Sequence, residues 1–253
     1  MKKNIALVAG GYTGESVISM KSAAVVFQNL DKSKFNVYKI IISKDKWEDE
    51  QGNAIDKNDF SLQVNGQKIT FAGAFIIVHG TPGEDGKLQG YFDMIGLPYT
   101  TCDAVTSAIT MNKAWTKHLV NGIKGLYTAK SRQLFRDIHT EETIEHAGLH
   151  YPLFVKPNNG GSSIGMSKVN QPAALSAALK KAFAEDEQIL VEEFISGREF
   201  TVGVVRVNGK IQVLPITEII SSKEFFDYEA KYTTGVSQEI TPADLSAQKT
   251  TAF

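Results

Sequence analysis

Residues 4–9, Asn4 to Ala9, form an apolar run that stops at Gly10-Gly11. A short apolar run closed by glycines is the pattern of a strand buried on both faces and followed by a turn. From Ser16 the apolar residues Val17, Met20, Ala24 and Val26 or Phe27 recur at helical spacing to about Leu30, and residues 35–42 form a second apolar strand. The chain thus opens β-α-β, and a helical crossover between two buried strands favours a parallel sheet of α/β type. Residues 60–71 alternate around Asn65-Gly66, a hairpin signal. A further buried strand, 74–78, gives way at His79 to a loop dense in glycine and acid, Gly80 to Gly90. Functional loops occupy such strand ends in α/β sheets.

The texture changes after Thr100, which places a domain boundary near residue 103. Residues 104–121 read as helix, 125–135 as extended, and 140–147, opening on Thr140, as a capped helix. Strand 153–156 leads into a Gly/Ser loop, 157–165, and a strand resumes at 166–169. An Ala/Leu-rich helix over 172–184 and a strand over 188–194 follow. Residues 199–207 and 210–219 read as strands joined at Asn208-Gly209. Residues 223–238 are polar and aromatic without period, and Thr241-Pro242 predicts the start of a last helix, with Thr241 as N-cap. That helix runs to Phe253 without a capping signal, so the chain reads as cut short. At 253 residues it holds one large domain or two modest ones.

Composition removes several classes of function. A net charge of −1 provides no excess of cations to neutralise nucleic-acid phosphates, so no nucleic-acid partner is expected. The single cysteine, Cys102, excludes an intramolecular disulfide and a multi-cysteine zinc site. The apolar run after Met1 is too short for a signal peptide, which needs about 7–15 residues, and no run approaches the ~18 of a membrane span. The expectation is a cytoplasmic protein without a membrane partner. No two glycines are separated by one residue, so G-x-G-x-x-G is absent, and no Gly-Lys pair precedes Ser or Thr, so Walker A is absent too.

What remains for an anion is Lys156 to Gly165, where small residues let backbone N–H groups and two hydroxyls face phosphate oxygens. A plain flexible hairpin linker fits the same composition. His146 and His150 have helical ligand spacing, but Gly148 between them favours a surface helix end. His79 stands where a strand yields to a glycine loop; a packed strand-end histidine is the plainer reading. Glu15, just before the first helix, reads either as a carboxylate favoured by the helix dipole or as one that binds a substrate ammonium. Residues 225–232 are either an aromatic surface loop or a loop that closes over a ligand.

Taken together and in order, these segments resemble the D-alanine–D-alanine ligases of the ATP-grasp superfamily. The likeness rests on Gly10-Gly11…Glu15…Ser19, the His79–Gly90 block, Lys156–Gly165, Glu199-Phe-Thr-Val202 and Phe226–Tyr232. The helix start Thr110–Lys113 adds to it. The resemblance implies an α/β parallel-sheet substrate domain, 1–103, followed by an α+β ATP-grasp module with lobes at 104–192 and 193–253, the second incomplete. It implies that ATP phosphorylates the carboxylate of one D-alanine and that the amine of a second displaces the phosphate, for peptidoglycan precursor synthesis. Water destroys an acyl phosphate, so loops 158–165 and 225–232 are the implied lids.

By the same resemblance, Glu15 holds the first ammonium, and Ser162 and Tyr232 hydrogen-bond with Glu15 to fix the closed lid. His79 lies beside the first substrate. Lys113 and Lys156 grip ATP phosphates, Ser163 cradles them, and Lys231 stabilises the transferred phosphoryl group. Glu192 and Glu199 face the ribose and base, with Phe194 and Ile195 near the adenine. The family also implies Mg²⁺ or Mn²⁺ and a homodimer. Its metal ligands include a Glu-x-Asn pair; no such triplet follows residue 238 and no arginine follows Arg206, so no metal ligand is expected in this chain. The 253 residues are therefore expected to be inactive alone. Two alternatives stay open: a non-catalytic truncated remnant, and an ATP-grasp ligase for another amino acid.

Overall fold

A computed structural model describes residues 1–138, 143–144, 147–221 and 237–246. The chain divides into two compact units, Met1–Thr116 and Lys117–Phe253. In the first, β1 (Lys3–Gly10), α1 (Ser16–Asn29) and β2 (Phe35–Ile42) form the crossover unit that the opening sequence requires. β1 and β2 are parallel, in register from Lys3↔Phe35 to Gly10↔Ile42. β3 (Trp47–Asp49) adds antiparallel to β2. A separate antiparallel sheet holds β4 (Ile55–Asp56), β5 (Ser61–Val64) and β6 (Gln67–Ile69). Asn65 and Gly66 close its hairpin with φ of 50° and 77°, the left-handed pair a type I′ turn needs. β7 (Gly73–Ile76) then lies parallel to β1 on its other side, giving the order β3-β2-β1-β7.

β1 is the centre of this unit because both of its faces are buried. Ala6 and Val8 share a core with Ile40, Ile42, Ile76, Phe60 and Phe92. Leu7 and Ala9 share another with Ala23 of α1, flanked by Met20 and Phe27. Side chains alternate along a strand, so the continuous apolar run serves both layers. Ser19 on α1 joins them at the strand ends: its Oγ donates to the Ile77 carbonyl at 2.7 Å and accepts from the Gly10 N–H at 2.9 Å. The unit continues through α2 (Lys87–Ile95) and α3 (Ala104–Met111) into α4 (Lys113–Val120). The single helix expected over 104–121 is thus two helices. Asn112 breaks it by leaving helical geometry and accepting the Trp115 N–H at 3.0 Å, an N-cap for α4.

The second unit begins with β8 (Ser131–Phe135), so only part of the expected extended stretch 125–135 is strand. β9 (Leu153–Pro157), β10 (Ser167–Val169), α5 (Leu175–Glu185, after a 3₁₀ turn) and β11 (Gln188–Glu193) follow. The sheet order is β10-β9-β11-β8, antiparallel throughout. Leu175, Ala178, Leu179 and Ala182 of α5 form its core with Leu153, Val155, Ile189 and Val191. The intervening residues of β9 and β11, among them Lys156 and Glu192, therefore point to the opposite face.

Beyond it run β12 (Glu199–Thr201), β13 (Val204–Val207), β14 (Lys210–Val213), β15 (Thr217–Ser221) and β16 (Ser237–Ile240). The two long strands expected over 199–219 are each split. β13 and β14 pair across Asn208-Gly209, while β12 pairs with β15 and β15 with β16. The expected helix at 241 is also corrected for residues 241–246, which are not helical. Ala243 donates its N–H to the Ile216 carbonyl at 2.8 Å, and the Thr241 hydroxyl lies 2.6 Å from that of Thr217, so this segment stays tied to the sheet. Most of the helix expected at 140–147 lies outside the described residues, as do residues 222–236 and 247–253. Among the described residues no helix is long and apolar enough to cross a membrane.

The Ser19 contacts carry a stability prediction. Ser19→Ala leaves a buried N–H and a buried carbonyl without their hydroxyl partner, so stability falls by about 1–3 kcal/mol in urea denaturation. An unchanged midpoint contradicts this role.

Candidate functional site

In the first unit the carboxyl ends of β1 and the β7 segment release two loops side by side. Gly10 takes φ +96°, and a Cβ there would stand 2.5 Å from the Ile42 carbonyl oxygen. The Tyr12 N–H then donates to the Thr81 carbonyl at 2.9 Å, which ties the loop after β1 to the loop after β7. Glu15 sits at the N-cap position of α1, but its side chain makes no capping bond. The carboxylate instead packs against Gly80: its Oε2 lies 2.7 Å from where a Gly80 Cβ would be. Glu15 is buried, with 5% of its surface exposed. Next to Gly80, the His79 Nε2 is buried with no hydrogen-bond partner among the described residues.

Several polar groups of the glycine-acid loop are bound within the loop itself. Glu84 accepts the Gly80 N–H at 2.6 Å, Asp85 takes the Thr81 hydroxyl and the Lys87 ammonium, and Gln89 Nε2 donates to the Gly83 carbonyl at 2.6 Å. Glu84 and Asp85 thus build the loop, while Glu15 and His79 are set at its inner edge. A buried carboxylate against Gly80, next in the chain to a histidine whose Nε2 has no partner among the described residues, suits a small cationic ligand with hydrogen-bonding capacity.

The second unit gathers its charges on the face of the sheet turned away from α5. Lys156 of β9 pairs with Glu192 Oε1, and the Lys117 ammonium of α4 reaches Glu192 Oε2 at 3.1 Å. Lys117 also donates to the Ala129 carbonyl at 2.6 Å. Burial raises the Glu192 pKa, but the Lys156 and Lys117 charges outweigh it and hold the carboxyl below its ordinary range. Phe194, just past β11, stacks near Phe154 at 5.5 Å between centroids, and the Lys168 ammonium lies 4.0 Å from its ring centre. Ile195 beside it is 64% exposed. Glu199, at the start of β12, is exposed.

The Gly/Ser loop has a fixed base and a strained tip. Asn158 donates its N–H to the Gln188 carbonyl at 2.9 Å, and Asn159 donates its own to Asp186 Oδ2 at 2.6 Å. Ser162 and Ser163 both have left-handed backbones, φ 51° and 58°. That conformation costs a non-glycine residue roughly 1–2 kcal/mol and is concentrated at ligand sites.

Of the expected site residues, Glu15, His79 and Lys113 lie in the first unit, with Lys113 opening α4. Lys156, Ser162, Ser163, Glu192, Phe194, Ile195 and Glu199 lie in the second. Lys231 and Tyr232 lie outside the described residues, as does His146; His150 pairs with Glu193 at 2.9 Å. Lys117 is the participant the sequence reading missed, although it follows Lys113 by one helical turn. No group of three or more His, Cys, Asp or Glu side chains among the described residues could hold a metal ion. The magnesium implied by the family likeness thus finds no ligand set among them.

Comparison with known proteins gives concordant results. The family model "D-ala D-ala ligase N-terminus" matches residues 4–102, and "D-ala D-ala ligase C-terminus" matches 124–253. The chain is 50% identical to the D-alanine–D-alanine ligase of Flavobacterium johnsoniae, covering 98% of this chain and 77% of that one. For the ligase of Parabacteroides distasonis the figures are 47%, 99% and 76%. Among solved structures, D-alanyl-alanine synthetase A of Vibrio cholerae superposes with a TM-score of 0.86 at 28% identity, covering 99% of this chain and 78% of that one. The VanG D-Ala:D-Ser ligase of Enterococcus faecalis gives a TM-score of 0.81 at 31% identity, covering 98% and 78%.

The Glu192 cluster sets a pH dependence. A carboxyl with a depressed folded-state pKa contributes stability that is complete above its unfolded value, about 4.3, and is lost as pH falls through the depressed one. Glu192→Gln is therefore less stable than wild type by about 1–3 kcal/mol at neutral pH. Urea titrations across the acid range should show that gap closing below the unfolded value; a gap independent of pH refutes the assignment.

Proposed function

The chain belongs to the D-alanine–D-alanine ligase family, and on that footing we propose that it joins two D-alanines, driven by ATP, for peptidoglycan precursors. The observation that carries the reading is the placement of the buried Glu15 carboxylate and the unpartnered His79 nitrogen on adjoining loops at one sheet edge. An amino acid brings an ammonium to match the first and a polar carboxylate to meet the second. Held so, a D-alanine carboxylate oxygen attacks the γ-phosphorus of ATP, the bridging P–O bond breaks, and ADP leaves. The amine of a second D-alanine attacks the acyl carbon; the C–O bond to phosphate breaks, and phosphate and a proton depart.

Lys113 and Lys156 would grip the nucleotide's phosphates, with Ser163 presenting backbone N–H groups to them. Glu192 and Glu199 would face the ribose and base, and Phe194 and Ile195 the adenine. Ser162 and Tyr232 would hold the lids shut against water, and Lys231 would stabilise the moving phosphoryl group. Divalent metal, when bound, would neutralise phosphate charge. The same reading divides the chain at 1–103, 104–192 and 193–253, and places the enzyme in the cytoplasm as a homodimer.

The enzyme as its gene encodes it in full should release phosphate from ATP only when D-alanine is supplied, and mass spectrometry should find D-alanyl-D-alanine. A panel with D-serine and D-lactate as acceptors tests the Tyr232 assignment. Tyrosine at that position accompanies amine acceptors in the family, so the amide should predominate; D-alanyl-D-lactate as the main product contradicts it. Glu15→Gln should raise the KM of one D-alanine about 10–100-fold, the equivalent of a charged hydrogen bond, while leaving that of ATP nearly unchanged. Equal effects on both substrates exclude Glu15 as the ammonium ligand.

A further inference from the structure

The Lys156–Glu192–Lys117 cluster holds two cations and one anion, and the two cations are not held alike. Lys156 has Glu192 as its one hydrogen-bond partner among the described residues. Lys117 has two, Glu192 Oε2 at 3.1 Å and the Ala129 carbonyl at 2.6 Å. Lys156 can therefore turn to an arriving phosphate by giving up one bond, whereas Lys117 would have to give up two. Glu192 cannot follow either: near the end of β11 it is still paired on both sides, opposite Ser131 of β8 and Phe154 of β9, and 14% of its side chain is exposed. If Lys156 leaves, a carboxylate stays behind in a largely buried place. Removing one partner of such a pair is costly unless another charge compensates.

We propose that Lys117 is a positioning residue for nucleotide binding: it keeps Glu192 ionised and in place while Lys156 is handed from Glu192 to the phosphates. This rests on the phosphate-gripping role given to Lys156 above. Among the described residues, Lys156 from β9 and Lys117 from α4 are the charged groups that act on Glu192. Ser131 from β8 is neutral, and Glu193 on the same strand pairs with His150. The consequence is specific. Without Lys117, the diversion of Lys156 leaves Glu192 uncompensated, and the carboxyl takes up a proton when nucleotide binds.

The test is calorimetric titration of the full enzyme with ADP, in buffers of differing ionisation enthalpy, for wild type, Lys117→Met, Lys117→Arg and Lys117→Met/Glu192→Gln. Thermal melts confirm that each is folded. Lys117→Met should bind ADP at least about tenfold more weakly near pH 8. It should also take up protons on binding beyond the wild-type amount, with affinity recovering as pH falls. Lys117→Arg should behave as wild type. The double variant should lose the extra proton uptake, because glutamine has no charge to quench. Wild-type affinity and proton uptake in Lys117→Met would overturn the proposal. So would a loss that is equal at every pH and persists unchanged in the double variant, the mark of a packing role alone. Wild-type enzyme that does not bind ADP would instead overturn the nucleotide-site reading, and this inference with it.

Discussion

Two-residue alternation along a strand determines where chemistry can sit in each unit. β1 spends both faces on cores, Ala6 and Val8 on one side and Leu7 and Ala9 on the other. From Ala6 to Ala9 no side chain of that strand is left to meet a ligand, so at its carboxyl end polar groups can appear only beyond the strand. Gly10 makes that end abrupt, because a Cβ would collide with the Ile42 carbonyl. β9 and β11 follow the opposite rule. One face is buried under α5, and the other is free to carry Lys156 and Glu192 as cross-strand neighbours. One unit thus builds an edge site from loops, and the other a face site from strands.

The crossover opening and the His79 turn were legible because their signals are local: an unbroken apolar run, a glycine stop and helical spacing all fall within one short window. The Asn65-Gly66 and Asn208-Gly209 turns were legible for the same reason, since each needs two left-handed residues and supplies them. What was not legible depends on distant partners. Residues 199–219 alternate like one long hairpin, yet β12 chooses β15, and only β13 and β14 use the turn. Thr241-Pro242 has the local signature of a helix start, but Ile216 and Thr217 hold the segment by bonds no short window contains.

The site residues divide along the same line. Glu15 was ambiguous in sequence because an acid before a helix usually serves the helix. The structure shows the carboxylate turned to Gly80 rather than to its own N-terminal N–H groups. Glu84 and Asp85, the acids of the glycine-dense loop, are bound up in that loop. Lys117 shows the converse. Nothing marks it in sequence beyond its distance from Lys113, and its importance comes from Glu192, which is 75 residues away along the chain.

The near-neutral charge of the chain fits a site of this kind. A protein that attracts polyanions over its whole surface needs an excess of cations, and this one has a net charge of −1. Two of its cations, Lys156 and Lys117, share one carboxylate in the second unit. Such neutralisation lowers the cost of burying the cations before a ligand arrives. On the proposed role of Lys156, a ligand must also compete with Glu192 for it, so charge alone is not enough and an entering group must match the geometry of the released ammonium. The left-handed Ser162 and Ser163 work in the same direction. The loop that carries them has a fixed base at Asn158 and Asn159, which limits the arrangements their backbone can take. On the proposed nucleotide role of this face, selectivity for a phosphate chain over a simple anion rests on two restraints, one electrostatic and one conformational.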